Sequence, residues 1–264
     1  MTKGIITIAT ADYLESARLL AQSAYKFSGL PTTLITTEPI DSEDFDNVIV
    51  VPGDIYNAFT VGLLATPYKH TAFIYADSLV LSDITPYFDL LNTVDIVTPF
   101  PIDFKGLPLQ SKLFNDRKII SKNNLPDVWT NFFLYTIDGI KEVTDILPNI
   151  VIEEVWNNIL QVSCKEYSID SELKHKINVA FSLAFKMLGI PSYSGNVRFT
   201  NLSKQTNNIM LPHLASNDWY KLLSFWATDD NLIKIENYNQ TGVVHYTSNW
   251  LDDTKIKNIA SICN

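Results

Sequence analysis

Short runs of β-branched residues alternate with helix-length amphipathic segments through the amino-terminal part of the chain. The run Ile5–Thr10 predicts a first strand, and apolar positions between Tyr13 and Phe27 fall on one side of a helix that ends at Gly29. Because strands that alternate with helices form parallel sheets, this order predicts an α/β fold with a mostly parallel central sheet flanked by helices. The further strands predicted by the pattern are Thr33–Thr37, Val48–Val51, Thr71–Tyr75, Asp95–Thr98, Asn131–Thr136 and Gly242–Tyr246.

Apolar residues at helical spacing predict several further helices. These are Tyr56–Leu64, Ile152–Gln161, Glu172–Leu188, Ser216–Ala227 and an amphipathic segment that begins at Leu251. The chain has 264 residues, is 46% hydrophobic, and contains neither a Gly/Ser-rich linker nor a repeat of fixed period. We therefore expect residues 1–264 to form a single domain.

Charge and composition argue against several classes of partner. The net charge is −9 and no Lys/Arg cluster is visible, whereas nucleic-acid binding usually needs such a cluster. No stretch reaches the run of about 18 apolar residues that a transmembrane helix needs, and the amino terminus lacks the apolar core of a signal peptide. The two cysteines, Cys164 and Cys263, lack the paired spacing of a zinc site. We expect a soluble, cytoplasmic protein.

Asp77 stands directly after a predicted buried strand. In open α/β sheets, ligands bind beyond the carboxyl ends of the strands, so a carboxylate at this point can take part in chemistry. An aspartate at such a junction can also simply cap a helix or stabilise a turn. Three other ionisable side chains, His70, His175 and His213, lack ligand spacing and are interpreted as structural or surface residues.

Four segments resemble, in order along the chain, the motifs of one enzyme family. Phe73–Leu81, which contains Asp77, resembles the segment that carries Asp-x-Asp in the glycogenin and galactinol synthase class of GT-A glycosyltransferases. Ala9–Leu14 resembles the first nucleotide-contacting loop of that class, and Asn131–Leu134 resembles its Asn-x-Gly strand. Gly242–Trp250 resembles its closing motif, which contains a histidine. The segments span nearly the whole chain.

The resemblance implies the GT-A fold, a UDP-sugar donor, a hydroxyl-bearing acceptor and transfer with retention at the anomeric carbon. It also implies a divalent metal bound by Asp77 and His245; a carboxylate with an imidazole suits Mn²⁺ better than Mg²⁺. A cation would stabilise the charge that develops on the diphosphate leaving group. The implied catalytic residues are Asp77, Asn131 and Asn178. The implied nucleotide-binding residues are Ala9, Thr10, Tyr13, Tyr75, Ala76 and Gly242.

The chain departs from the family pattern at three places. Tyr75 replaces the first aspartate of Asp-x-Asp, and the closing motif lacks the lysine that faces the diphosphate in the family. Asn178 stands where an acidic residue often occurs. These departures bear on metal affinity, turnover and the identity of the donor.

Other functions remain open at this point. A non-catalytic nucleotide-sugar-binding protein would keep the fold and lose part of the metal site. A sugar nucleotidyltransferase would need a glycine-rich basic loop after the first strand, which Thr10–Tyr13 does not provide. A sugar transferase acting on DNA conflicts with the acidic composition. Tyr13 can stack on a uracil ring or pack the first helix against the sheet, and Asn131 can bind a sugar hydroxyl or a local backbone group.

Overall fold

A computed structural model describes residues 2–102, 105, 120–122, 124–150, 173–191, 197–202, 225–227, 233–246 and 261. The α-helices in these ranges are α1 (Leu14–Ser28), α2 (Ile55–Leu64), α3 (Ile137–Ile150) and α4 (Leu173–Leu188), and 3₁₀ turns cover Ala11–Tyr13 and Thr85–Asn92. The strands are β1 (Lys3–Ile8), β2 (Thr32–Thr36), β3 (Asn47–Val50), β4 (His70–Ile74), β5 (Ser78–Val80), β6 (Ile96–Val97), β7 (Pro101–Ile102), β8 (Phe132–Thr136), β9 (Phe199–Leu202), β10 (Phe225–Ala227), β11 (Ile233–Ile235), β12 (Tyr238–Gln240) and β13 (Val243–Tyr246).

The central sheet has six strands in the order β3-β2-β1-β4-β8-β6. Strands β1 to β4 are parallel to one another, as the alternation with helices predicts, whereas β8 runs antiparallel to both β4 and β6. A four-stranded sheet has the order β5-β13-β9-β7, and β10, β11 and β12 form an antiparallel sheet. The chain therefore has a mixed α/β architecture with a mostly parallel central sheet.

The central sheet is buried on both faces, and β8 shows how its sequence achieves this. Phe133 and Tyr135 pack with the helices α2, α3 and α4 on one face. Phe132 and Leu134 pack on the other face against α1, the 3₁₀ turn and the four-stranded sheet. Successive side chains of a strand point to opposite faces, so a run of apolar residues without alternation is what a strand covered on both sides requires.

The boundaries of the predicted strands and helices in the described ranges lie within two residues of those observed, with one exception. Phe225–Ala227, predicted to end a helix, instead forms β10 and pairs with β11, because an antiparallel partner satisfies its backbone and aromatic residues favour strands. The rest of Ser216–Ala227 and the predicted helix Ile152–Gln161 lie outside the described residues. The segment from Leu251 does so apart from residue 261.

The sequence pattern predicted neither α3 nor the short strands β5, β7, β9, β11 and β12. Strands of two to four residues carry too little periodicity to be distinguished from loops. In the part of the chain that the structure describes, no helix combines the length and apolar character needed to cross a bilayer.

His70 at the start of β4 makes the stability of the fold depend on pH. The side chain is only 4% exposed, and its Nδ1 has no hydrogen-bond partner. Burial, followed by the charges of Lys69 and Lys3, lowers the pKa of His70 from 6.5, while Asp89 opposes the shift. Because the unfolded chain binds this proton more tightly than the folded chain, the fold should lose stability as the pH falls below about 6.5.

We predict that His70→Gln makes stability less sensitive to acid. The test is the urea midpoint of both proteins measured between about pH 7.5 and pH 5.5, where His70 carries its linkage to folding. The variant should lose less of its midpoint over this interval than the unaltered chain. Parallel profiles would show that protonation of His70 is not linked to unfolding.

Candidate functional site

The link from β4 to β5 carries the chain from the central sheet into the four-stranded sheet. Asp77 lies on this link, at the carboxyl end of β4. The backbone N–H of Tyr246 donates to the carbonyl of Asp77 at 2.9 Å, and the N–H of Tyr75 donates to the carbonyl of Asn131 at 2.9 Å. The link is thus fixed by β13 on one side and by the start of β8 on the other.

His245 brings the two sheets together through its imidazole ring. It lies on β13 opposite Ser78 of β5 and is 1% exposed. Its Nδ1 is 3.2 Å from Oδ1 of Asp77 and 3.4 Å from Oγ of Ser78. Its Nε2 is 3.2 Å from Nδ2 of Asn131. Asp77, Asn131 and His245, distant in the chain, therefore meet at one point.

Tyr75 is held beside this point by packing and by a hydrogen bond. Its ring meets the His245 ring edge to face, with centroids 6.0 Å apart, and its hydroxyl is 3.4 Å from Oγ1 of Thr130. Thr130 in turn donates to Oδ1 of Asn178 from its hydroxyl, at 2.8 Å, and from its backbone N–H, at 3.0 Å. Asn178 is 3% exposed and lies on α4. Its carboxamide oxygen therefore orders the segment that leads into Asn131.

A cavity of about 340 Å³ opens next to Asp77. Six of the predicted site residues line it: Ala9, Thr10, Tyr13, Tyr75, Ala76 and Asp77. Tyr13 is 40% exposed, so its ring is not part of the core. The amino ends of α1 and α2 border the cavity, because Tyr13 and Ile55 are at these two helix starts.

The remaining walls of the cavity are apolar, and no motif in the sequence predicted them as part of a site. They are Ile8, Ile55, Phe59, Phe73 and Ile177. Asp54, which precedes Ile55, caps α2 by accepting from the N–H of Asn57 at 2.7 Å. An aspartate before an apolar helical segment is a recognisable helix start, so the sequence could have placed Ile55 at the amino end of α2, beside the cavity. Thr130 and Ile177 have no such local pattern.

The pair Asp77 and His245 can be compared with the requirements of a metal site. Two ligands that bind one ion at about 2.1 Å and at right angles lie about 3.0 Å apart, close to the 3.2 Å observed between Oδ1 and Nδ1. Tyr75 supplies no second carboxylate here. Within the described ranges, no group of three or more His, Cys, Asp and Glu residues could hold a metal. The side chains fit a site with two protein ligands that a bound molecule would have to complete.

Gly242, predicted to contact the nucleotide, has a structural role just before β13. Its φ is +72°, and a Cβ at this position would collide with the carbonyl oxygen of Arg198. Its N–H donates to Oγ of Ser82 at 2.7 Å. A glycine is therefore required here by the backbone conformation and by the close approach of β9.

This arrangement is the GT-A fold: a mostly parallel central sheet flanked by helices, with a polar cluster at the carboxyl end of β4, where the chain enters the smaller sheet. Two similar solved structures are glycosyltransferases. The galactosyltransferase LgtC, in complex with donor and acceptor sugar analogs, has a TM-score of 0.50 and 12% identity over 98% of this chain and 95% of that chain. Mouse xyloside xylosyltransferase 1 in its apo form has a TM-score of 0.50 and 10% identity over 96% and 100%. At these identities the likeness concerns the fold.

The sequence itself yields no comparable relative. No protein-family model matches it, and no curated protein does.

We predict that Gly242→Ala destabilises the protein more than Gly29→Ala. Both glycines have positive φ, at +72° and +60°, but a Cβ on Gly29 meets nothing within 4 Å. Gly29→Ala should cost about 1–2 kcal/mol for the left-handed backbone alone, and Gly242→Ala should cost more because of the collision. Chemical denaturation of the two variants gives the comparison. Equal losses would mean that Arg198 shifts without cost.

Proposed function

We propose that this protein is a glycosyltransferase that moves a sugar from a UDP-sugar donor to a hydroxyl-bearing acceptor, with retention, in the manner of the glycogenin and galactinol synthase class. The observation that carries the proposal is the meeting of Asp77, Asn131 and His245 beside the cavity that Ala9, Thr10 and Tyr13 line. The GT-A fold shared with two solved glycosyltransferases agrees with it.

The cavity offers suitable groups for a nucleoside diphosphate despite the net charge of −9. The half-exposed ring of Tyr13 can stack on a base. The amino ends of α1 and α2 supply a positive field for the phosphates. The apolar walls contributed by Phe59 and Phe73 reduce the water around the reacting groups, which strengthens each electrostatic contact.

In this proposal Asp77 and His245 would hold a divalent cation, Mn²⁺ in preference to Mg²⁺ because one ligand is an imidazole nitrogen. When bound, the cation would stabilise the charge that develops on the diphosphate leaving group. Asn131 and Asn178 complete the site, the former next to His245 and the latter through Thr130. Asn178 thus acts as a positioning residue.

A second candidate is a nucleotide-sugar-binding protein that has lost catalysis. Tyr75 in place of a carboxylate, with two protein ligands in the described part of the site, favours it. The two functions differ in turnover, since both bind the donor but only the enzyme cleaves it.

The proposal also covers the domain organisation of the protein, its location and its partners. We place residues 1–264 in one GT-A domain. We also place the protein in the reducing cytoplasm, because its two cysteines are too few for a disulfide framework. Nucleic acid is not a partner in this proposal, because the acidic composition opposes phosphate contacts.

The first test is a thermal-shift screen of nucleotide sugars with and without Mn²⁺. A UDP-sugar at about 100 times its dissociation constant should stabilise the fold by roughly 2.7 kcal/mol, and Mn²⁺ should increase the effect. A flat response to all UDP-sugars would overturn the proposed function. Release of UDP from a stabilising donor then distinguishes the enzyme from the binding protein.

We predict that Asp77→Asn removes the contribution of Mn²⁺ to donor binding and leaves the fold intact. The amide keeps an oxygen that accepts from His245 but loses the charge that holds a cation. Asp145→Asn is the matched control, because Asp145 makes an exposed ion pair with Lys141 on α3. Donor titrations by calorimetry with and without Mn²⁺ measure the effect. A metal-dependent gain that survives in Asp77→Asn would exclude Asp77 as a ligand.

We predict that Tyr13→Ala weakens UDP binding by about 1–3 kcal/mol, the usual loss when an aromatic side chain stops stacking on a base. Tyr25→Ala is the control, since Tyr25 lies on α1 with 73% exposure. Titration of UDP into both variants gives the comparison. Equal affinities in the two variants would show that Tyr13 does not contact the nucleotide.

A further inference from the structure

The four-stranded sheet directs two rows of side chains toward the central sheet. The first row is apolar and is buried in one core cluster with residues of the central sheet. Its members are Val80 of β5, Val243 of β13 and Phe199 of β9. The second row lies two residues away on each strand, on the same face, because side chains alternate between the faces of a strand. Its members are polar: Ser78, His245 and Asn201.

Asn201 stands opposite His245 in the pairing of β9 with β13. Neighbouring strands lie about 4.8 Å apart, so the side chain of Asn201 leaves its strand beside that of His245. Ser78 flanks His245 from the other side, on β5. Asn201 is only 3% exposed. The polar row therefore extends the candidate site by one strand beyond His245.

The carboxamide of Asn201 is incompletely satisfied. Its Oδ1 is buried and forms no hydrogen bond within the ranges that the structure describes. Asn178, which is buried to the same extent, instead accepts two hydrogen bonds from Thr130. A buried polar group without a partner destabilises a fold, so such a group calls for an explanation. Beside a candidate site, a partner supplied by the ligand explains it.

We propose that Asn201 is a further binding residue of this site and that its carboxamide bonds a hydroxyl of the transferred sugar. The inference rests on the proposed function and names a residue of its sugar subsite. A hydroxyl both donates and accepts, so it pairs with either end of a carboxamide. A phosphate oxygen of the donor, which only accepts, pairs with the NH₂ end alone.

The order of the groups along the site places the sugar at Asn201. Thr10 and Tyr13, which follow β1, border the cavity where a base can stack. Asp77 lines the same cavity and contacts His245, at the position of the proposed cation and diphosphate. Asn201 is one strand further from Asp77 than His245 is, because β9 follows β13 in the sheet. Base, diphosphate and sugar follow one another in the same order in a nucleotide sugar.

The test compares the unaltered chain with Asn201→Leu, which has a similar volume and no polar atom in its side chain. Titrations of UDP and of a UDP-sugar that stabilises the unaltered chain are followed by calorimetry in the presence of Mn²⁺. The variant should bind the UDP-sugar about tenfold more weakly and should bind UDP as tightly as the unaltered chain. Equal affinities of the two proteins for the UDP-sugar would overturn the proposal. An equal loss for UDP and for the UDP-sugar would place the contact on the nucleotide and would also overturn it.

Donors that each lack one hydroxyl of the sugar identify the group that Asn201 binds. Removal of the contacted hydroxyl should weaken binding to the unaltered chain about tenfold. The same removal should have little effect on Asn201→Leu, because the two changes delete one interaction. Losses that add for every hydroxyl would contradict the contact.

The stability of the free protein shows separately whether the carboxamide lacks a partner. Asn201→Leu should leave the urea midpoint unchanged or raise it, because it removes a buried polar atom that forms no hydrogen bond. Asn178→Leu is the matched comparison and should lower the midpoint, because it deletes the bonds to Thr130. A comparable fall in Asn201→Leu would show that the chain itself satisfies the carboxamide, and this would overturn the proposal.

The failure of this inference differs from the failure of the proposed function. A UDP-sugar that binds the unaltered chain and Asn201→Leu equally would leave the glycosyltransferase standing and remove the role of Asn201. An unaltered chain that binds no UDP-sugar would overturn the proposed function, and the sugar subsite with it, whatever the stability of Asn201→Leu.

Discussion

The pairing of β5 with β13 is the interaction on which the candidate site depends. β5 follows the central strand β4 directly, and β13 is near the other end of the chain, so their ladder fixes His245 opposite Ser78. The N–H of Tyr246 and the carbonyl of Asp77 close this ladder at the site, and the N–H of Leu81 and the carbonyl of Gly242 close it at the far end. Without the pairing of β5 with β13, nothing would hold the imidazole of His245 next to the carboxylate of Asp77.

Several buried polar side chains at the junction of the sheets bond to one another. Asn178 accepts from Thr130, Thr130 accepts from Tyr75, and Asn131 reaches His245 from the next position in the chain. A buried donor or acceptor that lost its partner at this junction would lower the free energy of unfolding by about 1–3 kcal/mol. The hydrogen bonds therefore favour one arrangement of these side chains over the alternatives. The junction is therefore ordered before any ligand binds, which lowers the entropy lost on binding.

The sequence predicted the strands of the central sheet and the position of Asp77 because both follow from local patterns. It also predicted that His245 would approach Asp77, although only through the resemblance of two motifs. The contact of Asn178 with Thr130 could not be predicted, since it depends on how α4 packs against the sheet. The strand at Phe225–Ala227 was missed for a related reason: its partner β11, and not its own periodicity, decides its conformation.

The reversed direction of β8 has a consequence for how such a site can diversify. Strands β1 and β4 contribute residues that follow their carboxyl ends, whereas β8 contributes Asn131 from its amino end, with Phe132 paired to Ile74. The position of Asn131 is set by this register and not by the length of the chain that precedes it. Insertions or deletions between β7 and β8 can therefore accumulate during evolution while the amide beside His245 stays in place.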